Sequence, residues 1–197
     1  LLFFCAVPLN AQPPPAKSNS LPDTEQTAAA EKLAITLADV DLKKRRDAAY
    51  ELATMGTAAL PALDALIDQL DDRDEQVWIQ SVTAIAKIGP AAELAVEPLC
   101  QTFADRSVQK KYRAAWAIGR IGTAALPILR DRLKDPSPAQ RAGAVQALGW
   151  MSNHAETAAQ LLTPMLNDER VEIRRLTVNS LGKLGASHYA ALEQALK

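Results

Sequence analysis

Residues 105–122 read DRSVQKKYRAAWAIGRIG, and the fold follows from how often the chain returns to this pattern. The stretch ends Ile118-Gly119-Arg120-Ile121-Gly122, an apolar–small–x–apolar–small run. Met55-Gly56, Ile88-Gly89 and Leu184-Gly185 end other stretches in the same way. The steps from Gly56 to Gly89 and from Gly89 to Gly122 are 33 residues each. The step from Gly122 to Gly185 is 63, which divides into 30 and 33 if Ser152, after Met151, fills the missing slot. Three residues before each slot stands a small residue (Ala53, Ala86, Gly119, Gly149, Gly182), and before that an apolar one (Leu52, Ile85, Ile118, Leu148, Leu181).

The start of the stretch gives a second, independent register. Asp39, Asp72, Asp105, Asp135 and Asp168 follow one another at 33, 33, 30 and 33 residues. Six residues after each come Arg45, Trp78, Lys111, Arg141 and Arg174, four of them basic. Two residue classes share one period, including its single 30-residue step, which identifies a repeat protein. Within a unit, Ala48, Leu52 and Met55 share one helical face, as do Ser81, Ile85 and Ile88. The glycine slot stops that first helix. A second helix follows, with Leu63, Leu66, Ile67 and Leu70 on one face. Pro61 and Pro127 fit first turns, where a missing N–H costs little. Pro98 and Pro164 come later and should delay or kink their helices. Asp74, Ser107 and Ser137 are placed as N-caps, and Ser137-Pro138-Ala139-Gln140 offers a capping box.

The expected fold class is all-α, a right-handed solenoid of about five stacked helix pairs. The expected units are 24–38 (a half unit), 39–71, 72–104, 105–134, 135–167 and 168–197, or roughly eleven helices. Residues 1–11 (LLFFCAVPLNA) resemble the end of a secretory signal peptide, with Leu9 and Ala11 placed for cleavage. Residues 12–23 begin QPPPAKSNS and form a Pro/Ser-rich linker. A periplasmic or secreted location follows, with a membrane anchor the alternative if the N-terminus is longer. No membrane insertion is expected of the mature chain.

The pattern resembles HEAT-repeat proteins, in particular the bacterial subgroup related to phycobilisome lyase repeats. Arg113-Ala-Ala-Trp-Ala-Ile-Gly-Arg-Ile-Gly122 and Ala125-Leu-Pro-Ile-Leu129 carry the likeness. The resemblance implies a ladder in which Asp39, Arg45, Asp72, Asp105, Lys111, Asp135, Arg141, Asp168 and Arg174 pair along the stack. It also implies that second helices line the concave side, a binding surface rather than a pocket. Three departures stand out: Ser152 in a glycine slot, the short 105–134 unit, and Trp78 at a ladder position. Trp78 cannot form an ion pair, which leaves Asp72 free or paired elsewhere.

Chemistry-bearing groupings are scarce. His154 and His188 have no metal-ligand spacing around them and read as loop or helix-start residues. Asp71-Asp72-Arg73-Asp74-Glu75 lacks the length, glycine and terminal Glu of a calcium loop. Cys100, left alone once Cys5 is removed, reads as a buried structural thiol. Trp116 and Trp150 read as packing residues, with partner anchors the alternative. The basic clusters 43–46, 110–113 and Arg130/Arg132/Lys134 read as ladder members and solvated faces, because the net charge is −1.

No cofactor, metal or nucleic acid is therefore expected, and no enzyme activity. The expected function is a non-catalytic scaffold for a protein partner outside the cytoplasm. The alternatives are a lyase-like or chaperone-like accessory acting on a cofactor- or pigment-bearing protein, or a repeat module of a larger protein. The candidate partner surface comprises the non-core positions of the second helices: Asp64, Asp68, Glu97, Gln101, Arg130, Asp131, Gln160 and Thr163.

Overall fold

Each ladder aspartate ends one unit and starts the next by the same local bond. In the computed structural model of the protein, which describes residues 23–185, Asp39 Oδ1 accepts the backbone N–H of Asp41 at 2.8 Å. The bond recurs from Asp74 to Asp72 (2.7 Å), Ser107 to Asp105 (2.6 Å), Ser137 to Asp135 (2.8 Å) and Arg170 to Asp168 (2.9 Å). A carboxylate that holds the N–H two residues on makes a turn, which is why Asp keeps the period. The first helix of each unit begins three residues after it. These are α2 (Leu42–Met55), α4 (Glu75–Ile88), α6 (Val108–Ile121), α8 (Pro138–Leu148) and α10 (Val171–Leu184).

The caps follow the residue types only in part. Asp74 accepts from the N–H groups of Gln76 and Val77, and Ser107 from that of Lys110. Asp41 caps α2 by accepting from Lys43. The capping box expected at Ser137 does not form: its side chain makes no cap bond, although Pro138 does open α8. Gln140 turns instead to the end of the 72–104 unit, two units back, where its Nε2 donates to the Cys100 carbonyl at 3.1 Å.

Four first helices end on the register glycines, whose φ angles are +62°, +74°, +76° and +109° at Gly56, Gly89, Gly122 and Gly185. That region is closed to most side chains. Ser152 cannot supply it cheaply, so α8 stops a turn early at Leu148. The chain then leaves through Gly149, Trp150 and Met151, with Met151 at φ −85°, ψ 51°.

The second segments are composite. Each opens in 3₁₀ form and continues as a short α-helix: α3 (Leu63–Asp68), α5 (Val96–Gln101), α7 (Leu126–Arg132) and α9 (Ala155–Leu162). The prolines account for much of this. Pro61 lies inside the 3₁₀ stretch Gly56–Ala62 rather than in the first α-turn. Pro98 stands in the first turn of the delayed α5, and α9 gives way to 3₁₀ one residue before Pro164. Pro127 sits at the start of α7. The lone α1 (Asp23–Thr36) packs on Gly56–Ala62 as a second-type helix. Ten α-helices and no strand occur among the described residues. The final second helix expected after Gly185, with His188, lies outside them, as do the signal-like residues 1–11.

Two layers result. The first helices stack in chain order, α2 on α4, α6, α8 and α10, and the second segments stack beside them. Between the layers run Leu52, Ile85, Ile118, Leu148 and Leu181, all buried. Each contributes about 1.5–3 kcal/mol of burial. Small residues let the helices approach. A methyl group on Gly143 would lie 2.1 Å from the buried Phe103 ring.

Candidate functional site

The ladder has a direction that only the packing reveals. Arg45 Nε donates to Asp72 of the next unit at 2.8 Å, and its Nη1 donates to the Asp39 carbonyl at 3.1 Å. Arg141 does the same, with Nε to Asp168 at 2.8 Å and Nη1 to the Asp135 carbonyl at 3.0 Å. Arg174 Nη1 holds the Asp168 carbonyl at 2.8 Å. Each arginine thus staples its own entry turn, and Arg45 and Arg141 also reach forward one unit. Burial opposes ionisation of Asp168, yet Arg141 and the Arg170 N–H outweigh it and hold its carboxyl below the usual range.

Asp72 is therefore neither free nor dependent on Trp78. The aspartate that Trp78 deprives is Asp105. Lys110 takes over there, with Nζ 4.0 Å from Asp105 and 5.2 Å from the centre of the buried Trp78 ring. Lys111 makes no ion pair among the described residues. Asp135, one unit on, is paired by Arg132 at 3.3 Å.

The second-segment positions form an exposed polar face. Asp64, Asp68, Glu97, Gln101, Arg130, Asp131 and Gln160 are exposed. Thr163 is half-buried, and its Oγ1 donates to the Ala159 carbonyl at 2.9 Å. Glu97 is ion-paired with Arg132 of the next unit. Asp68 and Gln101 meet at a cleft of about 370 Å³ between neighbouring units, which Asp71, Pro98 and Trp78 also line. Acidic residues dominate the early units of this face, through Asp64, Asp68 and Asp71.

A second feature sits on the first-helix layer. Val108, Tyr112, Arg113, Trp116 and Trp150 line an open, largely apolar groove of about 690 Å³. Tyr112 and Trp150 meet edge to face, with centroids 5.4 Å apart at 84°. Lys183 Nζ stands 4.6 Å from the Trp150 ring centre and 5.8 Å from that of Tyr112. Trp116 and Trp150 are thus half-buried residues at one groove rather than core alone. The sequence held a sign of this, since three aromatics fall within 39 residues of a chain that is 5% aromatic.

No cluster of three potential metal ligands occurs among the described residues. No helix among them is long and apolar enough to cross a membrane. Burial pushes the Cys100 thiol up to about 12, against a weaker opposing pull from Arg132. It is a packed side chain and not a nucleophile.

Residues 96–182 match the family model for HEAT repeats. Over that stretch the chain is similar to HEAT repeats. The same architecture is seen in solved structures. An archaeal HEAT-like repeats protein from Thermococcus onnurineus NA1 superposes with a TM-score of 0.53 at 13% identity, covering 84% of this chain and 81% of that one. The complex of CpcE and CpcF of phycocyanin lyase from Nostoc sp. PCC7120 gives a TM-score of 0.51 at 21% identity, covering 94% and 73%. At such identities the likeness concerns the fold. No curated protein matches the chain. The stack presents two helical layers, each with an outer face.

Proposed function

We propose that this HEAT-like stack is a non-catalytic scaffold that binds another protein outside the cytoplasm through its second-segment face. The observation that carries the reading is the run of exposed polar side chains on successive second segments, from Asp64 and Asp68 through Gln101 to Arg130, Asp131 and Gln160. A solenoid face of this kind repeats at fixed spacing and suits an extended partner surface. The signal-like start of the sequence supports the location. The acidic early units favour a partner that is basic where it meets Asp64, Asp68 and Asp71.

Affinity capture from periplasmic or culture-fluid protein, followed by binding measurements on the purified partner, tests the proposal. Asp64→Lys with Asp68→Lys should weaken that binding by about tenfold or more, corresponding to roughly 1.4 kcal/mol. Unchanged binding would remove this face from the interaction. A visible-spectrum change on mixing with a tetrapyrrole would instead favour the second reading, an accessory to a pigment-bearing protein. The named phycocyanin lyase complex is the motive for testing it. Nucleic acid is excluded as the partner if no oligonucleotide binds with the steep salt dependence of phosphate contacts.

A further inference from the structure

The repeat does not require aromatic residues where the groove has them. At the register of Tyr112 the other units carry Arg46, Ile79, Ala142 and Arg175. At that of Trp116 they carry Tyr50, Thr83, Gln146 and Asn179. At that of Trp150 they carry Thr54, Lys87, Arg120 and Lys183. Three units therefore pack without a tryptophan at either position, so packing alone does not explain Trp116 or Trp150. Val108 remains 77% exposed and Tyr112 46% exposed beside them. Exposed apolar patches rimmed by polar groups mark interaction sites, and tryptophan and tyrosine are enriched among the residues that carry binding energy. The Trp150 indole N–H is buried and has no acceptor among the described residues. Such an orphan donor is costly in the free protein, and an acceptor brought in with a small ring shift would relieve it.

The charge around the groove has one sign. Helices α6 and α8 contain no acidic residue, whereas α6 holds Lys110, Lys111, Arg113 and Arg120. Arg113 and Arg120 form no ion pair among the described residues, and Lys183 has only the two rings. We propose that the groove over α6, walled by Tyr112, Trp116 and Trp150 and rimmed by Arg113 and Lys183, docks an acidic segment of a partner protein that carries an apolar side chain. The apolar side chain fills the groove, and the carboxylates pair with the rim. The ring geometry favours a peptide over a single-stranded nucleic acid. Tyr112 and Trp150 stand edge to face and Lys183 lies over both, so they offer no parallel platform for successive bases. This site lies on the first-helix layer and goes beyond the second-segment reading.

The test uses the full chain and a fluorescein-labelled acidic peptide, Asp/Glu-rich with one central Phe. Fluorescence polarisation gives the affinity, and intrinsic tryptophan fluorescence reports on Trp116 and Trp150. The wild-type chain should bind saturably, with a change in tryptophan emission and loss of binding at high salt. Arg113→Glu, a surface change that leaves the helix intact by circular dichroism, should weaken binding about tenfold. Replacing the central Phe by Ala should do the same. Asp64→Lys with Asp68→Lys should leave peptide binding intact, so failure here and failure of the second-segment reading are distinguishable. The proposal is overturned if the peptide does not saturate below about 1 mM. It is equally overturned if the Ala peptide binds as well as the Phe peptide, or if an oligothymidylate binds more tightly than either.

Discussion

Arg141 in α8 and Asp168 at the start of the next unit are joined by two hydrogen bonds, Nε to Oδ2 at 2.8 Å and Nη2 to Oδ1 at 3.1 Å. Their side chains are only 9% and 5% exposed. The pair is bidentate, and Nη1 is used at the same time on the Asp135 and Pro136 carbonyls. One guanidinium thus ties the entry turn of its own unit to that of the next.

Breaking that pair from one side should be expensive. Arg141→Ala leaves the buried Asp168 carboxylate without its partner, at a cost of about 3 kcal/mol, and Asp168→Asn should cost less because Arg141 keeps Glu169 at 3.0 Å. Arg45→Ala should cost less, because Arg45 is 20% exposed against Asp72 at 8%. Urea unfolding of the three variants checks the order, and equal losses would contradict it.

The ladder also predicts an acid-sensitive stability. Hydrogen bonds from Arg46 pull the Asp74 carboxyl down to about 2, with burial opposing. Asp168 is lowered as well. A depressed carboxyl contributes fully above its unfolded value, near 4, and the contribution is lost as pH falls through the folded value. The thermal midpoint should therefore hold down to about pH 4 and fall between about pH 4 and 2. Arg46→Gln should flatten part of that fall, as seen by calorimetry across the range.

Glycine substitutions should change sign with position. Gly143→Ala forces a methyl group against Phe103 and should destabilise by about 1–3 kcal/mol. Phe103→Leu in the same chain should return part of it, since the ring is the obstacle. Gly182, in the last turn of α10, has nothing among the described residues within 4 Å of an added methyl group. Gly182→Ala should stabilise by about 0.5 kcal/mol through helix propensity. Denaturant midpoints for the two variants should move in opposite directions.

Cys100 should be silent until the stack opens. Its thiol is buried and held protonated far above neutral pH. A maleimide or disulfide reagent should label it only in denaturant, in step with loss of helical circular dichroism. Rapid labelling in buffer would show that the α5 region opens locally.

The period in Asp39, Asp72, Asp105, Asp135 and Asp168 determined the helix starts, because a carboxylate two residues before the cap makes the turn by local bonds alone. The glycines at positive φ determined the stops for the same reason. Local chemistry of this kind is legible in residue type and spacing. Tertiary structure decided everything that crosses a unit boundary. It set the ladder to run forward, so that Asp105 and not Asp72 lost its arginine to Trp78, and it brought Lys110 in as the replacement. It drew Gln140 away from the cap of α8 to the Cys100 carbonyl. It gathered Tyr112, Trp150 and Lys183, which are 38 and 33 residues apart in sequence, at one groove. The physical reason is that such contacts depend on the offset between stacked helices, which packing volumes set and a repeat period does not specify.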